Sequence, residues 1–262
     1  MTAKFYFKFL SSKENFVGIV ITDGLVTIDH GINSHLITSE KGNPKHSLLK
    51  NNLAVTSVFT RLKSTGAERS KRQSKKAGDN CPLIYAFKGL DGLHTNAATK
   101  KELLRIGLRI FIYKIKPDLD VDSVISMPSS SNLSLMVGAY CAREIGVQLS
   151  PNIFLKTDLD TAFLTLEKHK QKGIITYSEY KSLAKRLNRR ADTFSLKNIP
   201  PKYRHLFSPL VLNKENCFKG RKVLLVDDLL STGTTLSIAA DILRSNYSDI
   251  FSVQALCLFS DV

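Results

Sequence analysis

Residues 223–235 read Val-Leu-Leu-Val-Asp-Asp-Leu-Leu-Ser-Thr-Gly-Thr-Thr, and no other stretch limits the fold so tightly. Val223 to Val226 form an unbroken apolar run, the pattern of a strand buried on both faces of a parallel sheet. Such a strand needs helices above and below it. Two adjacent carboxylates, Asp227 and Asp228, stand where the apolar run stops, so the strand is expected to end there. Ser231, Thr232, Gly233, Thr234 and Thr235 make a loop of small residues. From Leu236 the apolar residues take helical spacing through Leu243. The chain therefore passes from strand to acid pair to hydroxyl-rich loop to helix.

Each part has a chemical use. Backbone N–H groups at a helix start, with nearby hydroxyls, can hold a phosphate. Gly233 permits close backbone approach. The acids can accept hydrogen bonds from a diol. A sugar with a phosphate on one side and free hydroxyls on the other fits this layout. The plainer reading is a strand-to-helix turn with a capping Ser or Thr.

The rest of the chain predicts an α/β protein, a mostly parallel sheet with flanking helices and an N-terminal β-rich extension. Residues 4–9 and 16–29 read as strands, with Asp23-Gly24 as a hairpin turn. Residues 31–60 carry no clear pattern. Residues 61–76 hold seven Lys or Arg against one Glu, without apolar periodicity after Leu62, and read as a basic loop. Leu83 to Phe87 reads as a strand or a short helix. Lys101 to Lys114 has apolar residues at helical spacing. Val121 to Met127 is a strand, Leu133 to Ile145 a helix closed by Gly146, Ile153 to Leu155 a short strand, 160–190 a basic and partly helical stretch, and Phe251 to Phe259 the last strand. Strands alternating with helices imply crossovers, and ligands of such sheets sit at the carboxyl ends of the strands. Two domains are expected, 1–80 and 81–262.

The 262 residues suffice for a sizeable core, and no apolar run is long enough to span a bilayer. The first residues lack the apolar core of a secretory signal. Cys81, Cys141, Cys217 and Cys257 are scattered without metal-ligand spacing and read as buried free thiols in a reducing, cytoplasmic setting. The net charge of +15 points to a polyanion, nucleic acid or an acidic protein, as partner of the basic segments 61–76 and 168–190. The alternative is a solvated basic surface. No zinc finger or RNP motif is present.

A second loop carries chemistry. In Val124-Ile-Ser-Met-Pro-Ser-Ser-Ser-Asn132, a strand enters a proline turn and Ser129, Ser130 and Ser131 precede a helix. This loop can hold another phosphate group, or Ser131 or Asn132 can simply cap the helix.

Residues 223–235 closely resemble the signature of the type I phosphoribosyltransferases. The resemblance implies that Asp227 and Asp228 take the ribose hydroxyls of phosphoribosyl pyrophosphate and carry its catalysis. It implies that Ser231, Thr232, Gly233, Thr234 and Thr235 wrap the 5′-phosphate, that Ser129 to Ser131 stand in the pyrophosphate loop, and that Mg²⁺ assists without a dedicated protein ligand set. Family members commonly place a basic residue in the pyrophosphate loop, where this chain has serines. Family enzymes also place a closing loop between the two motifs. Here that region carries Lys168, Lys170, Lys172, Lys185, Arg186, Arg189 and Arg190. Some purine-using relatives have Asp where Ser231 stands, which weighs against hypoxanthine or guanine salvage. A base-recognising hood is expected from 1–80 or 160–200. Over about 81–260 the order of Leu83–Lys88, Met127-Pro-Ser, Leu183–Arg186, Asn188 and Phe194 resembles the DNA-uptake competence branch. That branch's zinc module and its Arg-Gly-Phe-Asn run are missing.

Two functions follow from the resemblance. One is a Mg²⁺-assisted transferase that moves or cleaves a ribosyl group of phosphoribosyl pyrophosphate or a related nucleotide. The other is a binding protein of the same fold, without turnover, acting with nucleic acid or a partner, as in a retron-like antiviral defence system. Members often pair, so a homo-oligomer is an expectation.

Overall fold

The computed structural model describes residues 15–16, 18–29, 36–61, 81–129, 131–188, 194–216, 218–230 and 232–260. The expected strand at 4–9 lies outside them, as does the basic loop beyond Arg61. The described chain divides into two compact units. One draws on 1–45, 57–118 and 258–262, the other on 46–56 and 119–257.

In the first unit, β1 (Asn15–Phe16), β2 (Ile19–Thr22) and β3 (Leu25–Ile28) form an antiparallel sheet. Asp23 and Gly24 turn the β2–β3 hairpin with φ of 49° and 80°. Positive φ at both central residues matches the twist of the strands they join. A Cβ on Gly24 would lie 2.7 Å from the Gly92 carbonyl oxygen, so no larger residue fits. β4 (Leu36–Ile37) pairs antiparallel with the end of β6 (Ala54–Arg61), while β5 (Lys45–Leu48), which also pairs with β6, lies almost wholly in the second unit. Leu83 to Phe87 falls in a helix, α1 (Pro82–Lys88), opened by proline and closed by left-handed Gly89. α2 (Ala97–Ile110) begins where the Asn96 side chain accepts from Thr99 N.

The second unit holds the parallel strands. β7 (Ser123–Ser126) pairs in parallel with β8 (Gln148–Ser150) and with β11 (Lys222–Leu230). β12 (Ser252–Ser260) follows β11 in the strand order β4-β6-β12-β11-β7-β8. The sheet is thus mixed, with parallel strands at its centre and helices flanking them. Val223 to Val226 are fully buried, as their apolar run required. α3 (Leu133–Ile145) crosses β7 and β11, and left-handed Gly146 ends it as expected. α6 (Thr234–Asn246) follows β11.

Two expectations change. The signature strand does not end at the acid pair. Its pairing with β7 stops at Val226 and Ser126, yet β11 runs on to Leu230. Beyond Val226 its burial alternates, with Asp228 and Leu230 inward, which is strand periodicity. The short strand near Ile153, β9 (Phe154–Lys156), does not join the parallel sheet. It pairs antiparallel with β10 (Leu210–Leu212), and this ribbon brackets a helical insertion.

The insertion carries α4 (Leu159–Gln171) and α5 (Tyr177–Asn188) around a core of its own: Ala162, Leu166, Ile175, Leu183, Leu187, Ile199 and Phe207. Asp158 caps α4 by accepting from Thr161 N at 2.6 Å. Thr176 and Glu179 form a reciprocal capping box at α5. Glu179 also accepts from the Tyr203 hydroxyl at 2.6 Å, and these bonds hold its carboxyl down to about 2 from an ordinary 4.5. A carboxylate lowered on folding stabilises above its unfolded value, and that stabilisation fades as pH falls from about 4.5 towards about 2. Thermal unfolding from pH 7 to pH 2.5 checks this. Glu179→Gln should lower the melting temperature at pH 7 and show a smaller acid-side drop than wild type.

Candidate functional site

The parallel pairing of β7 and β11 brings the two motifs to one edge. Ser126 and Val226 are the last paired residues, and Met127 N donates to Val226 O at 2.8 Å. The serine loop and the acid pair therefore start side by side where the β7–β11 pairing ends, towards the carboxyl ends of the strands where α/β sheets bind ligands. Ser129 Oγ donates to Asp228 Oδ2 at 3.0 Å. Ser129 Oγ also lies 3.5 Å from Ser131 Oγ and accepts from Ser131 N at 3.4 Å. Ser130 and Ser231 lie outside the described residues.

The two acids differ. Asp228 is buried, only 5% exposed, whereas Asp227 is half-buried. Asp227 Oδ1 accepts from Asp228 N at 2.8 Å and from Ser134 Oγ at 3.2 Å. Ser134 is fully buried in the first turn of α3. Gly138, one turn on, lets α3 approach so closely that an added Cβ would lie 3.3 Å from Ser126 Cβ. Beneath the pair, Cys257 is fully buried on β12. Its thiol is pushed up, first by burial and then by the charges of Asp227 and Asp228, so it stays protonated. Cys81 and Cys141 are also buried and form no disulfide, and burial pushes Cys141 up to about 12. Cys217 lies outside the described residues.

The loop after β11 places hydroxyls at a helix start. Thr232 Oγ1 and Thr234 Oγ1 are exposed neighbours at 2.9 Å, and Thr235 is half-buried. Gly233 adopts φ of 74°, left-handed, just before α6, and its carbonyl accepts from Ser237 N at 2.9 Å. The side that a Cβ would occupy is already filled: Leu49 Cδ1 would lie 2.6 Å from it. Gly233 is thus demanded by its backbone and by Leu49, as well as by any phosphate.

Leu49 belongs to a turn that sequence reasoning missed. Leu49 N donates to Leu53 O, and Asn52 N to Leu49 O. The Asn51 amide donates to Ser237 O and to Asp241 Oδ1, both at 3.0 Å, and Arg244 Nη1 donates to Asn51 O at 3.2 Å. The turn is thus strapped along α6, from Ser237 through Asp241 to Arg244 in its last turn. Its only signal in the sequence is Asn51-Asn52, a turn-forming pair, and Asn52 indeed takes φ of 58°.

Among the described residues no group of three or more His, Cys, Asp and Glu could hold a metal ion, and no helix is long and apolar enough to cross a membrane. Residues 140–261 match the family described as phosphoribosyl transferase domain. The match contains the acid pair and the loop after it, and begins beyond the Ser129–Ser131 loop. No curated protein matches the chain.

The contact at Gly233 has a measurable effect without ligand. Gly233→Ala should cost about 1–3 kcal/mol of stability by overpacking against Leu49. Leu49→Ala in the same chain should return part of that loss. Urea unfolding of the two single variants and the double variant measures the coupling.

Proposed function

Given a phosphoribosyl transferase domain over residues 140–261, we propose that the site binds phosphoribosyl pyrophosphate and transfers its ribosyl group. The observation that carries this reading is the 3.0 Å bond from Ser129 Oγ to Asp228 Oδ2, which joins the serine loop to the acid pair. A single ligand with a diol between two phosphate-bearing ends would span both loops.

In this reading, the loop Ser231–Thr235 holds the 5′-phosphate through backbone N–H groups at the start of α6 and the hydroxyls of Thr232 and Thr234. The positive end of the helix dipole adds to the attraction. Asp227 and Asp228 accept from the 2′ and 3′ hydroxyls. Asp227 is held in place by Ser134, and Asp228 exchanges the Ser129 hydroxyl for that of the sugar. The freed serine loop then faces the pyrophosphate. A nucleophile forms its bond to C1 of the ribose as the bond from C1 to the pyrophosphate oxygen breaks, and the electron pair leaves with pyrophosphate.

The donor set also suits Mg²⁺. It consists of hard oxygens, two carboxylates and several hydroxyls, and Mg²⁺ is commonly held by one or two carboxylates together with substrate phosphates and water. When bound, the ion would neutralise charge building on the pyrophosphate.

One feature favours a second reading, binding without turnover. The pyrophosphate loop offers serine hydroxyls and no cation within Ser129–Ser131. Released pyrophosphate, with Mg²⁺ and a panel of bases, separates transfer from binding alone. Calorimetry with phosphoribosyl pyrophosphate and Mg²⁺ tests the site itself. Asp227→Asn with Asp228→Asn should weaken binding about tenfold or more, since a hydrogen bond to a charged group contributes roughly 1.5–3 kcal/mol. Affinity indifferent to this pair of substitutions would overturn the assignment.

A further inference from the structure

The helical insertion has a surface that its own packing does not explain. Between 157 and 209 the sequence holds eleven Lys or Arg against five Asp or Glu. Where α4 turns into α5, Tyr177 is 60% exposed, and Ile174 beside it is 52% exposed. The Tyr177 and Tyr180 rings lie nearly parallel, with centroids 6.4 Å apart and planes 14° apart. Lys181 Nζ lies 4.7 Å from the Tyr177 centroid, and Lys170 Nζ lies 4.5 Å from that of Tyr180 and 5.9 Å from that of Tyr177. Lys168, Lys172, Lys185 and Arg186 are exposed on the same two helices and their junction.

The local acids are already engaged. Glu167 accepts from the Tyr180 hydroxyl and pairs with Lys170 at 3.3 Å. Glu179 is held by Thr176 and Tyr203. The charge left to face a partner is positive. Tyr177 is not needed for the helix, because the capping box uses Thr176 and Glu179, and it is not part of the insertion's buried core. An exposed ring among lysines has a chemical complement: a flat π-face for the ring and phosphates for the ammonium groups. Single-stranded nucleic acid offers both at every nucleotide, and stacking on tyrosine tolerates any base. A duplex hides its base faces, and the carboxylates of acidic side chains offer no extended aromatic face for the ring.

We propose that the α4–α5 junction, centred on Tyr177 with Lys170 and Lys181, is a stacking site for single-stranded nucleic acid. A base lies on the Tyr177 ring, displacing the Lys181 ammonium towards the adjoining phosphate. None of its residues belongs to the acid pair or its loops, and the proposal stands or falls independently of the phosphoribosyl reading.

Fluorescence anisotropy of the full chain with labelled oligo-U, oligo-dT and a hairpin duplex of equal length, at two salt concentrations, tests it. The two single-stranded arms tell RNA from DNA. Either single strand should bind better than the duplex, with a log–log salt slope of about −0.7 per phosphate contact. Tyr177→Ala should weaken binding about tenfold, and Tyr177→Phe, which keeps the ring, should stay within about twofold of wild type. Lys170→Ala with Lys181→Ala should flatten the salt slope. No binding at low salt, duplex preferred to single strand, or Tyr177→Ala equal to wild type would each overturn the proposal. So would displacement of the oligonucleotide by poly-glutamate that is identical in wild type and Tyr177→Ala, which would mark the surface as purely electrostatic.

Discussion

Everything at the site depends on the register of two strands. β7 and β11 pair in parallel from Ser123 with Val223 to Ser126 with Val226. That pairing decides which residues leave the sheet together. With this register Ser129 reaches Asp228, and Ser134 on the returning helix reaches Asp227. A slip of one residue would turn every side chain of one strand to the other face and separate both pairs. A slip would also draw Lys222 or Asp227 into the fully buried stretch held by Val223–Val226, which opposes it.

The acid pair illustrates how a charged site is kept inside a sheet that favours apolar residues. Two neighbouring carboxylates are costly to bury unless hydrogen bonds satisfy them. Here a backbone N–H and two serine hydroxyls do so, with no cation among those donors. Such donors hold the acids in place while leaving their oxygens lone pairs for further hydrogen bonds. The chain carries a large positive charge, +15, and yet these three donors are neutral. Many of its cations lie on the helical insertion.

What the sequence revealed follows from the range of the forces involved. The strand at 223–226, the helix at 133–145 and its stop at Gly146 rest on local patterning, and all three were legible. Leu83 to Phe87 stayed ambiguous between strand and helix because a short apolar run has no period to read; the proline at its start and Gly89 at its end settle it as a helix. The continuation of β11 to Leu230 was hidden because two carboxylates interrupt the apolar run, although Leu230 resumes it. The pairing of β9 with β10 escaped because their partners are more than fifty residues apart in sequence. At Gly233, a phosphate seemed a sufficient reason for glycine. The Leu49 side chain supplies a second reason, and nothing in the surrounding sequence announces it.

The strap between Asn51 and α6 spans 186 to 190 residues of chain. At synthesis rates of about 5–20 residues per second, the Leu49 turn leaves the ribosome roughly ten to forty seconds before the helix it will hold. Over that interval the turn has nothing to close on, and Leu49 adds to an apolar surface open to chaperones or to other chains. The loop after β11 is therefore among the last parts of the molecule to take its shape, and its completion reports that both distant segments have arrived.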